Sequence, residues 1–524
     1  MITLLDYGAG NVRSITNALG RIGETVRTVG CAEDILRAEK LIFPGVGSYG
    51  AIMDRLHALG YLDALQAYLA DDRPFFGICL GMQVLFSESE EAPGVPGLGL
   101  LPGRVQRFTT RLAVPHIGWN GIRACQQSRL FNGLTGAEKF YFVHSYHVVA
   151  ETDADILTQT DYGVTFTSAV QRGNLFATQF HPEKSGAPGL RVLENFLTNA
   201  RLEVLPAVRP HPTRLAKRII ACLDVRANDE DELVVTKGDQ YEVREKGTIR
   251  NLGSPVQLAS RYYQQGADEI TFLNIMGFRD FPLQDMPMLK ILEQTSEQVF
   301  VPLTIGGGIR DFTDRNGRTY SALEVAAAYF RAGADKVSIG SDAVAIVEQV
   351  LRSGSASGTS SIEEIARVYG NQAVVISVDP RRVYVNSPDD VHHEVIATAF
   401  PGPDGERYCW YQCTIRGGRE GRDLDAITLS RVCEQLGAGE ILLNCIDRDG
   451  TNKGFDLELI TAVRTAVTLP VIASSGAGTA DHFLEVFRQT PAEAALAAGI
   501  FHRQEVPLDQ VKKYLADHLP IRVS

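Results

Sequence analysis

The chain has 524 residues, 44% of them hydrophobic and 22% charged, the proportions of a soluble globular protein with room for two or three cores. A formal net charge of −12 and the lack of a basic stripe argue against a nucleic-acid partner. No apolar run approaches the roughly 20 residues that span a bilayer.

In chain order, Leu4-Leu5-Asp6-Tyr7-Gly8-Ala9-Gly10-Asn11 comes first, then the glycine loop Pro44-Gly45-Val46-Gly47-Ser48. Phe75 to Ile78 reads as a buried strand and Met82 to Ser87 as a helix start, so Gly77-Ile78-Cys79-Leu80-Gly81 is expected to be a sharp strand-to-helix turn. Glycines on both sides let the backbone take such a turn, and a thiol at a helix N-terminus is favoured as thiolate. Leu175 to Phe180 is expected to be another strand, followed by His181 and Glu183. In extended chain an i, i+2 pair shares one face, so Glu183 can orient the imidazole. A lone cysteine in an apolar run is usually packing. Here a nucleophile, a base and an orienting carboxylate occur together.

These words and their order resemble the class I (triad) glutamine amidotransferases, and the segments at 4–11 and 44–48 narrow the likeness to the histidine-pathway branch, over residues 1 to about 200. The resemblance implies that backbone N–H groups of Gly45, Val46 and Gly47 form an oxyanion hole and that Gln83 helps hold substrate glutamine. Pro206, Pro210 and Pro212 crowd the next stretch, which reads as a linker. The expected division is a glutaminase domain at 1–203 (an open α/β sheet), a linker at 204–213 and a second domain at 214–524.

In that second domain, short apolar strands alternate with helical stretches: Ile219 to Leu223, Ile270 to Leu273, Val301 to Ile305, Lys336 to Ile339, Ala373 to Val378, Ile441 to Leu443, Leu469 to Ala473 and Ala494 to Ala497. Eight such strands point to a (β/α)8 TIM barrel. Cys222-Leu223-Asp224-Val225 echoes Ser377-Val378-Asp379-Pro380, and Val301-Pro302-Leu303 echoes Leu469-Pro470-Val471, the mark of a twofold internal repeat. Small residues follow strands three and seven (Gly306-Gly307-Gly308; Ser474-Ser475-Gly476) and strands four and eight (Gly340-Ser341; Ala498-Gly499). Exposed backbone N–H groups at such points bind phosphate, and two sites on opposite rims imply a bisphosphate ligand. Asp224 and Asp379, related by the repeat, suit a general acid and base. Arg218, Glu269, Lys336 and Glu440 each stand before an apolar strand and are expected to ring the N-terminal mouth, as a stabilising cluster or as a gate for ammonia.

Ala216 to Asp224, Gly306 to Ile309, Ile446-Asp447-Arg448-Asp449-Gly450-Thr451 and the run from Ser474 resemble the cyclase of the imidazole glycerol phosphate synthase family, fused as in its single-chain form in fungi and plants. That resemblance implies that ammonia from glutamine and the bisphosphate PRFAR (phosphoribulosyl-formimino-AICAR phosphate) give imidazole glycerol phosphate and AICAR. It further implies Asp224 and Asp379 as the acid–base pair, Lys237 as a mobile-loop contact, Asp449 and Gly450 as a rim contact, and Lys184 at the domain seam. Ser475 departs from the commoner glycine, which matters if the turn needs positive φ. Loops 312–320, 353–361 and 386–407 look inserted, with His392 and His393 expected to be solvated.

A sister half-barrel sugar isomerase would have no use for a glutaminase, and a non-catalytic metabolite sensor would not need all five reactive groups. No cofactor and no metal are expected: His144 and His147, three apart in an apparent strand, should point to opposite faces, and Cys409 with Cys413 lack the two further ligands zinc needs. The expected partners are glutamine and PRFAR alone, with no nucleic acid and no membrane, and the expected state is a monomer. Eight scattered cysteines and a Met1 that runs straight into a strand give the expectation of a cytoplasmic protein without a leader.

Overall fold

The computed structural model describes residues 1–8, 10–198, 213–228, 232–236, 251–275 and 282–523, with the backbone alone at 244–245 and 248–249. Lys237 and most of the expected linker lie outside these residues.

The N-terminal part is built on strands β1 (Ile2–Leu4), β2 (Val26–Thr28), β3 (Lys40–Gly45), β4 (Phe75–Cys79), β5 (Ile156–Asp161), β6 (Thr165–Arg172) and β7 (Leu175–Thr178). They run in the order β2-β1-β3-β4-β7-β6-β5, parallel from β2 to β7 and antiparallel beyond. Both faces of β3 and β4 are buried, which explains their unbroken apolar runs Leu41-Ile42-Phe43 and Phe75-Phe76. The carboxyl end of β4 sits between β3 and β7, with Gly45 opposite Cys79 and Ile78 opposite Thr178. Such ends are where open α/β sheets bind their ligands. The turn there is possible only because three glycines lack side chains. A Cβ on Gly81 would sit 2.1 Å from the Phe43 carbonyl oxygen, one on Gly77 2.4 Å from that of Gly81, and one on Gly45 2.3 Å from the Gly81 nitrogen.

The C-terminal part is a closed barrel of parallel strands β8 (Arg218–Ala227), β9 (Glu269–Asn274), β10 (Leu303–Gly306), β11 (Lys336–Ile339), β12 (Val374–Val378), β13 (Glu440–Asn444), β14 (Val471–Ser474) and β15 (Ala494–Ala497), with β15 pairing back to β8. Ile220, Cys222, Val375, Leu442, Ile472 and Leu496 fill its interior. β10 and β14 begin one residue after Pro302 and Pro470, later than the sequence suggests, because proline has no N–H for the ladder. β8 likewise runs past Asp224 to Ala227, since it continues into an antiparallel pairing with Leu233–Thr236. Asp224 therefore stands within a strand, not at its end.

Two of the inserted loops form strands. Residues 312–320 form a small hairpin, and residues 386–407 contribute Val395–Ala397 to a side sheet with Pro380–Val385, Tyr408–Ile415 and Glu420–Asp425. Arg382 ties that sheet to the barrel through a buried bidentate pair with Asp456 at 2.8 and 2.9 Å. His393 is not solvated as expected: its ring stacks on Trp410 at 3.8 Å and contacts Asp423 at 2.9 Å. Cys409 and Cys413 are buried packing residues of the same sheet.

The two parts meet across the N-terminal ends of the barrel strands. Lys184 pairs with Asp335 at 2.6 Å, Asn11 donates to Asp335 and to the Gly333 carbonyl at 2.9 Å each, and Arg13 pairs with Glu293 at 2.8 Å. Trp119 donates its indole N–H to the Asp268 carbonyl at 3.0 Å while the Arg522 guanidinium lies 4.0 Å over its ring.

Candidate active site

Cys79 ends β4 and takes φ +54°, ψ −105°, a conformation that few side chains adopt, before the short helix Leu80–Gln83. Strain of this kind aims the thiol out of the sheet at the switch between β3 and β7. His181 Nδ1 lies 2.8 Å from Glu183 Oε1, and both side chains are buried. Their geometry differs from the expected extended pair: Pro182–Lys184 forms a 3-10 turn that folds the carboxylate back onto the ring. Burial by itself would lower the pKa of the His181 imidazole. The Glu183 carboxylate and the adjacent Cys79 sulfur more than reverse this and hold it well above its ordinary value. Glu183 is brought close by that local turn, and Cys79 by the pairing of β4 with β7 in the sheet.

The glycine loop lies beside the thiol, with Gly45, Val46 and Gly47 sharing a cavity wall with Cys79 and His181. Its Val46 N–H donates to the Tyr7 hydroxyl at 3.0 Å, and that hydroxyl donates in turn to the Val46 carbonyl at 2.5 Å. The donor that the resemblance assigns to an oxyanion is thus engaged by a buried tyrosine. Gln83 is buried beside the site and donates to the Tyr146 carbonyl and to Gln179 Oε1, each at 3.0 Å. Sequence reasoning assigned nothing to Tyr7 or Gln179, although both stand inside the motifs that carried the resemblance.

Below the thiol, a cavity of about 40 Å³ runs from Cys79, Val46, His181 and Lys184 to Asp335, Lys336 and Gln372 of the barrel. It ends at a closed ring of alternating charge. Arg218 pairs with Glu269 at 3.0 Å and with Glu440; Lys336 pairs with Glu269 at 2.6 Å and with Glu440 at 2.7 Å. All four side chains are at most 1% exposed. Burial favours a neutral Glu440, but Arg218 and Lys336 outweigh it and hold the carboxyl below its ordinary range. Two cations and two anions leave the ring neutral, the arrangement that makes buried charge tolerable.

At the opposite, C-terminal mouth is a cavity of about 500 Å³ lined by Asp224, Asp379, Asp449, Gly450, Ser474, Gly476, Ala498 and Gly499 among others. Asp379 accepts a hydrogen bond from Asn444 at 2.8 Å, and burial raises its pKa against the opposing effect of that bond. Asn444, the last residue of β13, had no signal in the sequence beyond its position at a barrel strand's end. Ser475 takes φ +73°, so the turn does need positive φ and a non-glycine residue supplies it. Gly476 at φ +97° has no such latitude, since a Cβ there would meet the Gly454 carbonyl at 2.2 Å. Across the barrel, Gly307 and Gly308 (φ +93° and +80°) follow β10, and Gly340 caps the helix Ser341–Ser353 after β11. A Cβ on Gly307 would meet the Asn274 carbonyl at 2.2 Å. Gly307, Gly308, Gly340 and Ser341 stand apart from the lining of the large cavity. Among the described residues no cluster of three or more histidine, cysteine or acidic side chains could hold a metal, and no helix is long and apolar enough to cross a membrane.

A strained cysteine with a histidine–glutamate pair, set against the charged mouth of a half-barrel repeat, defines a class I glutamine amidotransferase joined to a TIM barrel. Family profiles agree: "Glutamine amidotransferase class-I" matches residues 3–200 and "Histidine biosynthesis protein" residues 218–507. Relatives named imidazole glycerol phosphate synthase hisHF resemble the chain along its length. The chloroplastic protein of Arabidopsis thaliana is 57% identical over 99% of this chain and 88% of its own. Those of Emericella nidulans and Schizosaccharomyces pombe are 53% and 52% identical, covering 98% and 99% of this chain and 97% and 99% of their own. The chain belongs to the imidazole glycerol phosphate synthase family, in its bifunctional single-chain form.

Proposed function

We propose that the protein hydrolyses glutamine at Cys79, passes the ammonia through the ringed mouth, and uses it in the barrel to convert PRFAR to imidazole glycerol phosphate and AICAR. The observation that carries this reading is the narrow cavity that joins the Cys79–His181 pair to Lys336 of the ring.

In this reading His181 takes the thiol proton and Cys79 attacks the glutamine amide carbon. Backbone N–H groups of the 45–47 loop receive the oxyanion, that of Val46 once the Tyr7 hydroxyl releases it. Collapse expels ammonia with the proton that His181 holds, and water releases glutamate from the thioester. The raised His181 pKa suits both duties: it favours the imidazolium needed to protonate the leaving nitrogen. Ammonia released into a closed cavity stays unprotonated, which matters because ammonium is no nucleophile. Its passage requires the ring to open, as by a swing of the Lys336 side chain, since the four pairs otherwise seal the mouth.

At the far mouth, the cradle at Ser474, Gly476, Ala498 and Gly499 would hold one phosphate, and that at Gly307, Gly308, Gly340 and Ser341 the other. Burial raises the Asp379 pKa, which suits it to act as the acid; Asp224 would act as the base. Asn444 would orient Asp379, Asp449 and Gly450 would contact substrate at the rim, and Lys237 would meet it. The division into 1–203, 204–213 and 214–524, the monomeric state and a cytoplasmic location belong to the same proposal. Eight free cysteines, six of them buried, suit a reducing compartment.

The test is glutamate release measured with and without PRFAR while AICAR is followed in the same tube. Matched release that needs PRFAR is the expected result. Release indifferent to PRFAR, with no AICAR, refutes the reading. Cys79→Ala should abolish the glutamine reaction and spare turnover with added ammonia, whereas Asp224→Asn should stop both.

A further inference from the structure

The amide of Gln179 has one orientation, fixed by a chain of bonds that starts from the backbone. The Tyr146 carbonyl can only accept, so the Gln83 atom 3.0 Å from it is Nε2 and not Oε1. His144 Nδ1 donates to the same carbonyl at 2.7 Å, and His116 continues the chain by donating from Nδ1 to His144 Nε2 at 3.2 Å. Gln83 Nε2 spends its second hydrogen on Gln179 at 3.0 Å, which makes that atom Oε1. The other end of the Gln179 amide is then Nε2, and it lies 3.4 Å from Cys79 Sγ. Gln179 is fully buried, and its backbone N–H is tied to the Ser168 carbonyl at 2.9 Å, so the side chain projects from a fixed base.

We propose that Gln179 is a catalytic residue of the glutaminase site, whose Nε2–H donates to the Cys79 sulfur and holds it as the thiolate aimed at the substrate carbon. The inference rests on the Proposed function, in which Cys79 is the nucleophile. An N–H donor pairs far better with a charged sulfur than with a neutral thiol or a thioester. It therefore favours the thiolate before attack and adds nothing to the acylated enzyme that would slow its hydrolysis. Cys79 is buried, so little water reaches its sulfur to stabilise a charge there. The other groups facing it are His181 on the turn after β7 and the Tyr7 hydroxyl after β1; His181⁺ supplies the opposite charge, while Tyr7 is occupied by Val46. Gln83 and the buried pair His116–His144 act through this amide as positioning residues, because a flipped Gln179 would turn its oxygen against the sulfur.

The test is the pH dependence of Cys79 alkylation by iodoacetamide in the full chain, read on the Cys79 peptide by mass spectrometry so that exposed Cys31 and Cys125 do not contribute. In Gln179→Met the midpoint should rise by about one pH unit, the worth of one charge-assisted hydrogen bond. The kcat for glutamine should fall roughly tenfold with KM little changed, and turnover with added ammonia should match the wild type. A midpoint identical to the wild type in Gln179→Met overturns the proposal. Should that variant fail to fold, Gln83→Met, which frees the amide to flip, decides it by the same midpoint. The parent reading fails by a different result, glutamine hydrolysis that survives in Cys79→Ala.

Discussion

Replacing Glu440 by Gln tests the ring at its weakest point. The carboxylate accepts from Arg218 and from Lys336 Nζ at 2.7 Å, and the side chains are buried to the last per cent. The amide keeps one oxygen for one cation and turns an NH2 toward the other. The ring then carries one uncompensated positive charge with no water to solvate it. Removing one partner of a buried pair costs about 3–5 kcal/mol. At 2–4 °C per kcal/mol for a large domain, the barrel's melting temperature should fall by roughly 6 °C or more. Adding Lys336→Met removes the surplus charge and leaves Arg218 with Glu269, so the double variant should recover at least half of the loss. The assay is thermal unfolding by calorimetry of both variants, with glutamate and AICAR counted during turnover. A loss under about 1 kcal/mol in the single variant, or a double variant no more stable than the single, would refute the ring as a charge-balanced unit. In the double variant the mouth lacks the lysine proposed to swing open, and glutamate release should run ahead of AICAR as ammonia escapes elsewhere.

Tyr7→Phe releases the Val46 N–H that the hydroxyl holds at 3.0 Å. Glutamate release without PRFAR should rise about tenfold, since one oxyanion donor is worth roughly a hundredfold; an unchanged rate shows that Tyr7 does not restrain the loop. Ser475→Gly relieves a residue held at φ +73° and should stabilise the barrel by about 1 kcal/mol in urea unfolding, with the sign reversed if the Ser475 side chain makes a compensating contact. Burial pushes Glu91 up to about 7, where its carboxyl accepts the Tyr49 N–H at 3.0 Å. The fold keeps this proton while the unfolded chain loses it near 4.5, so stability falls as pH rises from 4.5 to about 7 and stays reduced above. Glu91→Gln should flatten that limb, by up to about 3 kcal/mol, when melts are compared at pH 5 and 8.

The parts of the fold that the sequence disclosed are those where local chemistry leaves little choice. Gly77 and Gly81 around Cys79 announce a turn in which any Cβ would strike a carbonyl, and the turn is there. The barrel strands are legible because each is buried on both faces, and the charges before them because a lysine or glutamate that opens an apolar strand must lie at a mouth. What stayed hidden depends on pairings between distant segments. The pairing of Glu183 with His181 was legible and only its local geometry was not, a 3-10 turn at Pro182 in place of extended chain. His393 reads as solvated until Trp410 of a neighbouring strand covers it. Gln179 lies two residues before His181, in plain view, yet its role follows only from which atom of its amide faces the sulfur. That orientation is set by the Tyr146 carbonyl through Gln83, a relation with no trace in either segment alone. The reactive groups of this protein are therefore readable one by one, whereas the groups that tune them are fixed by the sheet order that brings β4 against β7. Substitutions that leave every motif intact but shift that pairing should impair the thiol's reactivity without removing any residue that touches it.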